Sequence, residues 1–130
     1  MSMNDPLANM MSKILNAEKT GKKTCTVKPF SKLIKAVLTV MNECMYIGES
    51  TESEDGKGNH LTVNLLNKVN KCGAIKPRFA VRNTQYEKFE KRYLPAKNMG
   101  ILIVSTPKGV MTHLKSKEQK LGGRLIAYCY

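Results

Sequence analysis

Apolar residues recur at helical spacing in two N-terminal segments and at strand spacing over much of the rest of the chain. Leu7, Met10, Met11 and Ile14 mark one face of a helix that Asp5-Pro6 opens. The aspartate serves as cap, and the proline takes the first helical position, where its missing N–H is no loss. Gly21 is expected to end that helix, and residues 23–29 read as a short strand. Ser31 then caps a second helix whose Leu33, Ile34, Val37, Leu38 and Met41 form an apolar stripe. Two strands, Met45 to Glu54 and His60 to Leu66, flank the turn-rich stretch Asp55-Gly56-Lys57-Gly58-Asn59, with Leu61, Val63 and Leu65 alternating toward one buried face. The pattern predicts an αβαββ lobe.

After Asn70-Lys71-Cys72-Gly73, Ile75, Pro77, Phe79 and Val81 alternate with Lys76, Arg78, Ala80 and Arg82, which predicts a strand with one apolar and one basic face. Thr84-Gln85-Tyr86-Glu87 fits a capping box for a short helix carrying Tyr86, Phe89 and Tyr93 and closed by Pro95. Gly100-Ile101-Leu102-Ile103-Val104 is short and wholly apolar, as a strand buried on both faces would be. A brief strand over Val110 to Thr112, a basic helix ending at Gly122 and an alternating strand from Arg124 to Tyr130 complete the chain. The expected fold class is α/β (α+β) in two small lobes. Residues 1–68 form the αβαββ lobe, and residues 69–130 form a β-rich lobe with short helices.

At 130 residues and 42% hydrophobic, the chain has material for a real core in one compact domain or two lobes. Charge sharpens the picture. Twenty-two Lys and Arg against ten Asp and Glu give +12, a surface that repels itself unless a polyanion neutralises it. The excess is uneven: residues 46–67 carry a net −3, whereas residues 68–130 carry fourteen basic and three acidic side chains, a net +11. The C-terminal lobe is therefore the one expected to face the polyanion. No apolar run approaches the roughly 18 residues of a membrane helix, and no secretory leader pattern opens the chain, so a soluble, intracellular protein with no membrane role is expected.

Catalytic chemistry finds little support. Cys25, Cys44, Cys72 and Cys129 are separated by 19, 28 and 57 positions and read as reduced, mostly buried thiols. With only His60 and His113 to help, and both expected at the surface, no metal site is predicted. Neither G-x-S-x-G nor a Cys-His signature occurs, and Gly21-Lys22 and Gly56-Lys57 lack the following Ser or Thr of a phosphate loop. Glu87 and Glu90 lie among Lys88, Lys91 and Arg92 and read as their solvated ion partners. An RNA-processing enzyme thus has no catalytic set here, and no cofactor is expected.

The basic residues make a better case. Lys76, Arg78 and Arg82, followed by Lys88, Lys91 and Arg92 with Tyr86 and Tyr93, combine phosphate-binding charge with aromatic surface for stacking, although either tyrosine could instead cap the core. Ser105-Thr106-Pro107-Lys108-Gly109 leaves the most apolar strand, so that two hydroxyls stand at a rigid strand end beside a glycine that leaves room for close approach. On spacing alone this is equally an ordinary polar loop, and Gly122-Gly123 reads first as a helix stop.

Gly100 to Thr112, Gly-Ile-Leu-Ile-Val-Ser-Thr-Pro-Lys-Gly-Val-Met-Thr, followed by Leu121-Gly-Gly-Arg-Leu-Ile-Ala-Tyr-Cys-Tyr130, closely resembles the C-terminal signature of the small-subunit ribosomal protein family numbered eight. Asp5-Pro-Leu-Ala-Asn9, Ala17-Glu-Lys-x-Gly-Lys22, Pro29-x-Ser-Lys-Leu-Ile34 and Tyr46-Ile-Gly-Glu49 extend the resemblance to the N-terminal lobe. Asn70 to Phe79 and Tyr86 to Pro95 look like the archaeal and eukaryotic branch, nearer the archaeal. The resemblance implies a two-lobed, non-enzymatic protein of the cytoplasmic ribosome. It would bind the central domain of small-subunit ribosomal RNA early in assembly, beside neighbouring small-subunit proteins, and be a monomer when free. A free-standing RNA-binding regulator that represses translation is the alternative. The RNA-binding candidates are Ser105, Thr106, Pro107, Lys108, Gly109, Met111, Thr112, Gly122 and Gly123, with Lys76, Arg78, Tyr86 and Arg92, and in the N-terminal lobe Asp5, Asn9, Ser31 and Lys32. The segment His113-Leu114-Lys115-Ser116-Lys117 departs from many members, so contacts from the first turn of its helix do not carry over.

Overall fold

The computed structural model describes residues 6–27, 32–55, 58–76, 78–96 and 99–130, and the chain separates into two units, Met1–Lys71 and Cys72–Tyr130. In the first, helix α1 (Pro6–Lys19) turns Leu7, Met10, Met11 and Ile14 inward, and helix α2 (Lys32–Glu43) does the same with Ile34, Val37, Leu38 and Met41. These faces belong to the core that also holds Val27, Ile47, Leu61 and Val63 of an antiparallel sheet, whose order is β1 (Thr24–Val27), β3 (Gly58–Leu65), β2 (Ile47–Asp55). Gly21 ends α1 as expected: at φ +76° it lets the Lys22 N–H reach back to the Ala17 carbonyl at 3.0 Å. Helix α2 ends the same way without a glycine. Met45 takes φ 63° and the Tyr46 N–H reaches the Met41 carbonyl at 3.0 Å, so Met45 belongs to the helix end and the strand begins at Ile47. The expected caps Asp5 and Ser31 lie outside the described residues, as do Gly56 and Lys57 of the predicted loop.

The second unit contains β4 (Cys72–Ala74), β5 (Ala80–Val81), α3 (Tyr86–Tyr93), β6 (Ile101–Thr106), β7 (Gly109–Thr112), α4 (His113–Glu118) and β8 (Gly123–Cys129). Its antiparallel sheet runs β4-β8-β6-β7, with β5 also paired to β8, so the C-terminal strand occupies the interior. Ile101 to Val104 are all buried, as the unbroken apolar run required. Leu102, Val104 and Leu125 pack with Ile75, Val81, Tyr86, Phe89 and Leu94, and Phe79, Tyr93, Tyr128 and Tyr130 rim this core half-buried.

Three expectations change. The strand predicted over Ile75 to Arg82 shrinks to β5 (Ala80–Val81), and β4, which was not predicted, precedes it at Cys72–Ala74. The Ile75 N–H donates to the Ile126 carbonyl at 2.8 Å, and the Leu125 N–H donates to the Phe79 carbonyl at 3.0 Å, so both ends hold to β8 while Lys76 and Arg78 sit between them. The capping box does not form, because Gln85 precedes α3 and accepts the Arg82 N–H on its side-chain oxygen at 3.0 Å. Helix α4 stops before Gly122: Lys120 takes φ 57° and the Leu121 N–H reaches the Ser116 carbonyl at 2.9 Å.

Candidate nucleic-acid interface

Strands β6 and β7 stay in register from Ile103↔Thr112 to Thr106↔Gly109, leaving Pro107-Lys108 as the turn. Proline cannot take the positive φ of the usual primed hairpin turns, and the left-handed residue falls instead at Gly109, with φ +120°. Thr106 completes the turn. Its hydroxyl donates to the Gly109 carbonyl at 2.7 Å and accepts the Lys108 N–H at 3.2 Å, and the residue is buried. The expectation that both hydroxyls face outward is therefore corrected: the Thr106 proton is committed to its own turn. Ser105, Pro107, Lys108 and Gly109 remain exposed, and the Ser105 hydroxyl has no partner among the described residues.

Register brings a further residue to this end of the sheet. Ser105 lies opposite Val110 on one side and Arg124 on the other, and Arg124 lies opposite Ala80. Ala80, Arg124 and Ser105 are all exposed, so a guanidinium-bearing residue sits one strand away from the Ser105 hydroxyl, at the end of β6 that leads into the Pro107-Lys108 turn. In the sequence Arg124 is only the start of an alternating strand, since strand order is not written in periodicity.

Several candidates have packing reasons of their own. A Cβ on Gly123 would fall 2.2 Å from the Ser105 carbonyl oxygen, and one on Gly122 would fall 2.7 Å from that of Val81. Both glycines let β8 enter between β5 and β6, which holds Ser105 in place. Thr112 caps α4, its Oγ1 accepting the Lys115 N–H at 3.2 Å. Met111 is buried in the ladder opposite Val104. Tyr86 is 0% exposed, its hydroxyl 2.7 Å from Ser116 Oγ and donating to the Leu121 carbonyl at 3.2 Å. A ring so enclosed offers no face to a base, so Tyr86 leaves the stacking surface and joins the core.

A second buried polar group joins α3, α4 and β6. The β7 ladder ends at Ile103, and the next N–H on β6, that of Leu102, donates to His113 Nδ1 at 3.0 Å. That nitrogen is thus unprotonated, and Nε2–H faces Glu90 Oε1 at 3.0 Å, where Lys117 also binds. Burial holds the His113 pKa below its ordinary 6.5 against the opposing pull of the Glu90 carboxylate, with the Lys117 charge adding to the depression. His113 is therefore an interior residue rather than the expected surface one. Glu87 pairs with Lys91 at 3.8 Å, so both α3 carboxylates have cationic or imidazole partners. Arg92 lies over the Phe79 and Phe89 rings at 5.6 and 5.9 Å and Lys88 over Phe89 at 5.7 Å, roofing the aromatic rim while staying exposed.

Lys76 and Arg78 are exposed, as are Asn9 and Lys32 in the first unit, whereas Asp5 and Ser31 lie outside the described residues. Among the described residues, no three His, Cys, Asp or Glu side chains gather as metal ligands would, and no helix is long and apolar enough to cross a membrane. The family model described as ribosomal protein S8 matches residues 5–130. The chain belongs to the ribosomal protein S8 family. Membership makes it a small-subunit ribosomal protein, with ribosomal RNA and other proteins of that subunit as the family's partners. A charge excess concentrated on residues 68–130 suits such a partner, since Lys and Arg side chains gain affinity by releasing counterions from phosphates.

Proposed function

We propose that the chain binds the central domain of small-subunit ribosomal RNA directly and helps nucleate its assembly, reading the RNA mainly with the second unit. The exposed row of Ser105 and Arg124 beside the Lys108 tip carries this reading. A hydroxyl that both donates and accepts suits a base edge or a ribose 2′-OH, and the guanidinium and ammonium suit phosphates. Lys76, Arg78 and Arg92 extend the phosphate-binding surface, while Pro107 and Gly109 allow close approach at the tip. In the first unit Asn9 and Lys32, with Asp5 and Ser31, add further RNA contacts. The free protein is a monomer of the archaeal and eukaryotic branch, works in the cytoplasm and catalyses nothing.

The test compares a central-domain fragment with a random RNA duplex of equal length at ~0.15 M salt. The fragment should keep an advantage of at least about 10³-fold, and DNA of the same sequence should bind worse because it lacks the 2′-hydroxyls. Equal affinity for fragment and random duplex would show a generic polyanion binder instead. Cleavage or modification of the labelled RNA would refute the non-catalytic reading.

A further inference from the structure

Two of the four cysteines, remote in sequence, are direct neighbours in the second sheet. Cys72 and Cys129 are Cα partners in the antiparallel β4–β8 ladder, followed by Gly73↔Tyr128 and Ala74↔Ala127. One step further, the Ile75 N–H donates to the Ile126 carbonyl, which makes that pair a hydrogen-bonded one. The ladder alternates, so Gly73↔Tyr128 is hydrogen-bonded, and Ala74↔Ala127 and Cys72↔Cys129 are non-hydrogen-bonded pairs. At such a pair the Cα atoms approach to about 4.5 Å and the side chains stand close on one face, within the roughly 4.4–6.8 Å that a disulfide spans. The chain holds all four cysteines as thiols.

We propose that Cys72 and Cys129 are a latent disulfide pair, which a small-molecule disulfide converts into a cross-strand bond stapling β4 to β8. Cys72 lies on a three-residue edge strand, is the first residue of its unit and is 4% exposed, whereas Cys129 is 0% exposed in the sheet interior. Local opening of the short edge strand admits the reagent to Cys72 first. Its thiolate attacks one sulfur and releases the other as a thiolate, leaving a mixed disulfide. The Cys129 thiolate then attacks the Cys72 sulfur and expels the second half of the reagent. The two protons from the protein thiols end on the two departing thiolates, so one reagent disulfide is reduced for each protein disulfide formed. Cys25 and Cys44, in the first unit, have no such neighbour among the described residues: Cys25 lies opposite Val63, and Cys44, the most exposed of the four, follows α2, so an oxidant can leave at most an adduct there. The inference is independent of RNA binding.

The experiment incubates the full chain with oxidised glutathione under native conditions, then counts free thiols and maps cross-linked peptides. The Cys72 and Cys129 thiols should disappear together, with one new link, Cys72–Cys129, reversed by reductant. The closed loop is long, so the thermal midpoint of the linked protein should rise by roughly 10 °C or more. A Cys25→Ser, Cys44→Ser double variant should respond like the parent, and Cys129→Ala should stop at a glutathione adduct on Cys72 with no rise in midpoint. Four surviving thiols, a link involving Cys25 or Cys44, a lasting glutathione adduct on Cys72 of the parent, or a Cys72–Cys129 link that leaves the midpoint unchanged would each overturn the proposal.

Discussion

Neighbouring hydroxyls at the end of β6 should have opposite consequences when removed. Thr106→Val keeps shape and β-branching but deletes the 2.7 Å bond to the Gly109 carbonyl and the 3.2 Å bond from the Lys108 N–H. At about 0.5–1.5 kcal/mol net for each, the loss spans ~1–3 kcal/mol. The turn is exposed, so water can replace both partners, and the lower part of that range, about 1–1.5 kcal/mol, is expected. Ser105→Ala removes a hydroxyl with no partner among the described residues and should change stability by no more than ~0.5 kcal/mol. Its cost should fall on recognition: about 1 kcal/mol, or fivefold, in affinity for the central-domain fragment, with the random duplex unaffected. Chemical denaturation followed by filter binding at fixed salt measures both quantities on each variant. The reasoning fails if Ser105→Ala destabilises the fold as much as Thr106→Val, or if Thr106→Val leaves stability untouched.

Lys108→Ala and Arg124→Ala should each weaken binding to all RNAs and lower the magnitude of the salt slope by about one at most, as loss of one phosphate contact would; a slope unchanged in both variants removes them from the backbone interface. His113, buried with its pKa depressed, refuses a proton that the unfolded chain accepts, so the second unit should lose stability as pH falls below about 6.5, at up to ~1.4 kcal/mol per pH unit. His113→Asn keeps an acceptor for the Leu102 N–H and should flatten that dependence, and melting curves over the same range would expose an error if the slope persisted. Gly123→Ala drives a methyl into the Ser105 carbonyl and should cost about 3 kcal/mol, read as a shift in urea midpoint. Tyr86→Phe should cost ~1–2 kcal/mol through the Ser116 and Leu121 partners yet leave RNA selectivity alone, whereas a selective loss of fragment binding would return Tyr86 to the interface.

The elements with strong periodicity were legible in the sequence: both helices of the first unit, the hairpin that follows and the buried strand Ile101 to Val104. Glycine marked the end of α1 but not of α2 or α4, where Met45 and Lys120 adopt the left-handed conformation at a cost that the chain reversal offsets. Alternation over Ile75 to Arg82 marked the inward residues but not that regular pairing there is confined to Ala80–Val81, with a separate strand ahead at Cys72–Ala74, because burial alone produces the same alternation. At the candidate interface, the exposed tip followed from polar residues leaving an apolar strand. Long-range pairing did not: the Tyr86 hydroxyl meets Ser116 thirty positions away, and Arg124 reaches Ser105 only because β8 runs between β5 and β6. Amphipathic tyrosine and histidine fit a surface or a satisfied interior equally well, and only the partners decide between them.

The β6–β7 tip has almost no freedom to adapt. A proline ring, a hydroxyl clamp on both sides of the turn and a ladder registered up to Thr106 hold it in one shape before any RNA arrives. If this tip meets RNA as proposed, the RNA has to do the bending and bears the entropy of its own ordering. Affinity then measures the RNA's readiness as much as the protein's chemistry. Divalent cations that fold the RNA in advance should tighten binding with the protein unchanged. RNA variants that keep the touched nucleotides but prefer another fold should bind poorly. Under the proposed reading the protein would act as a mould, holding one conformation of the RNA it binds.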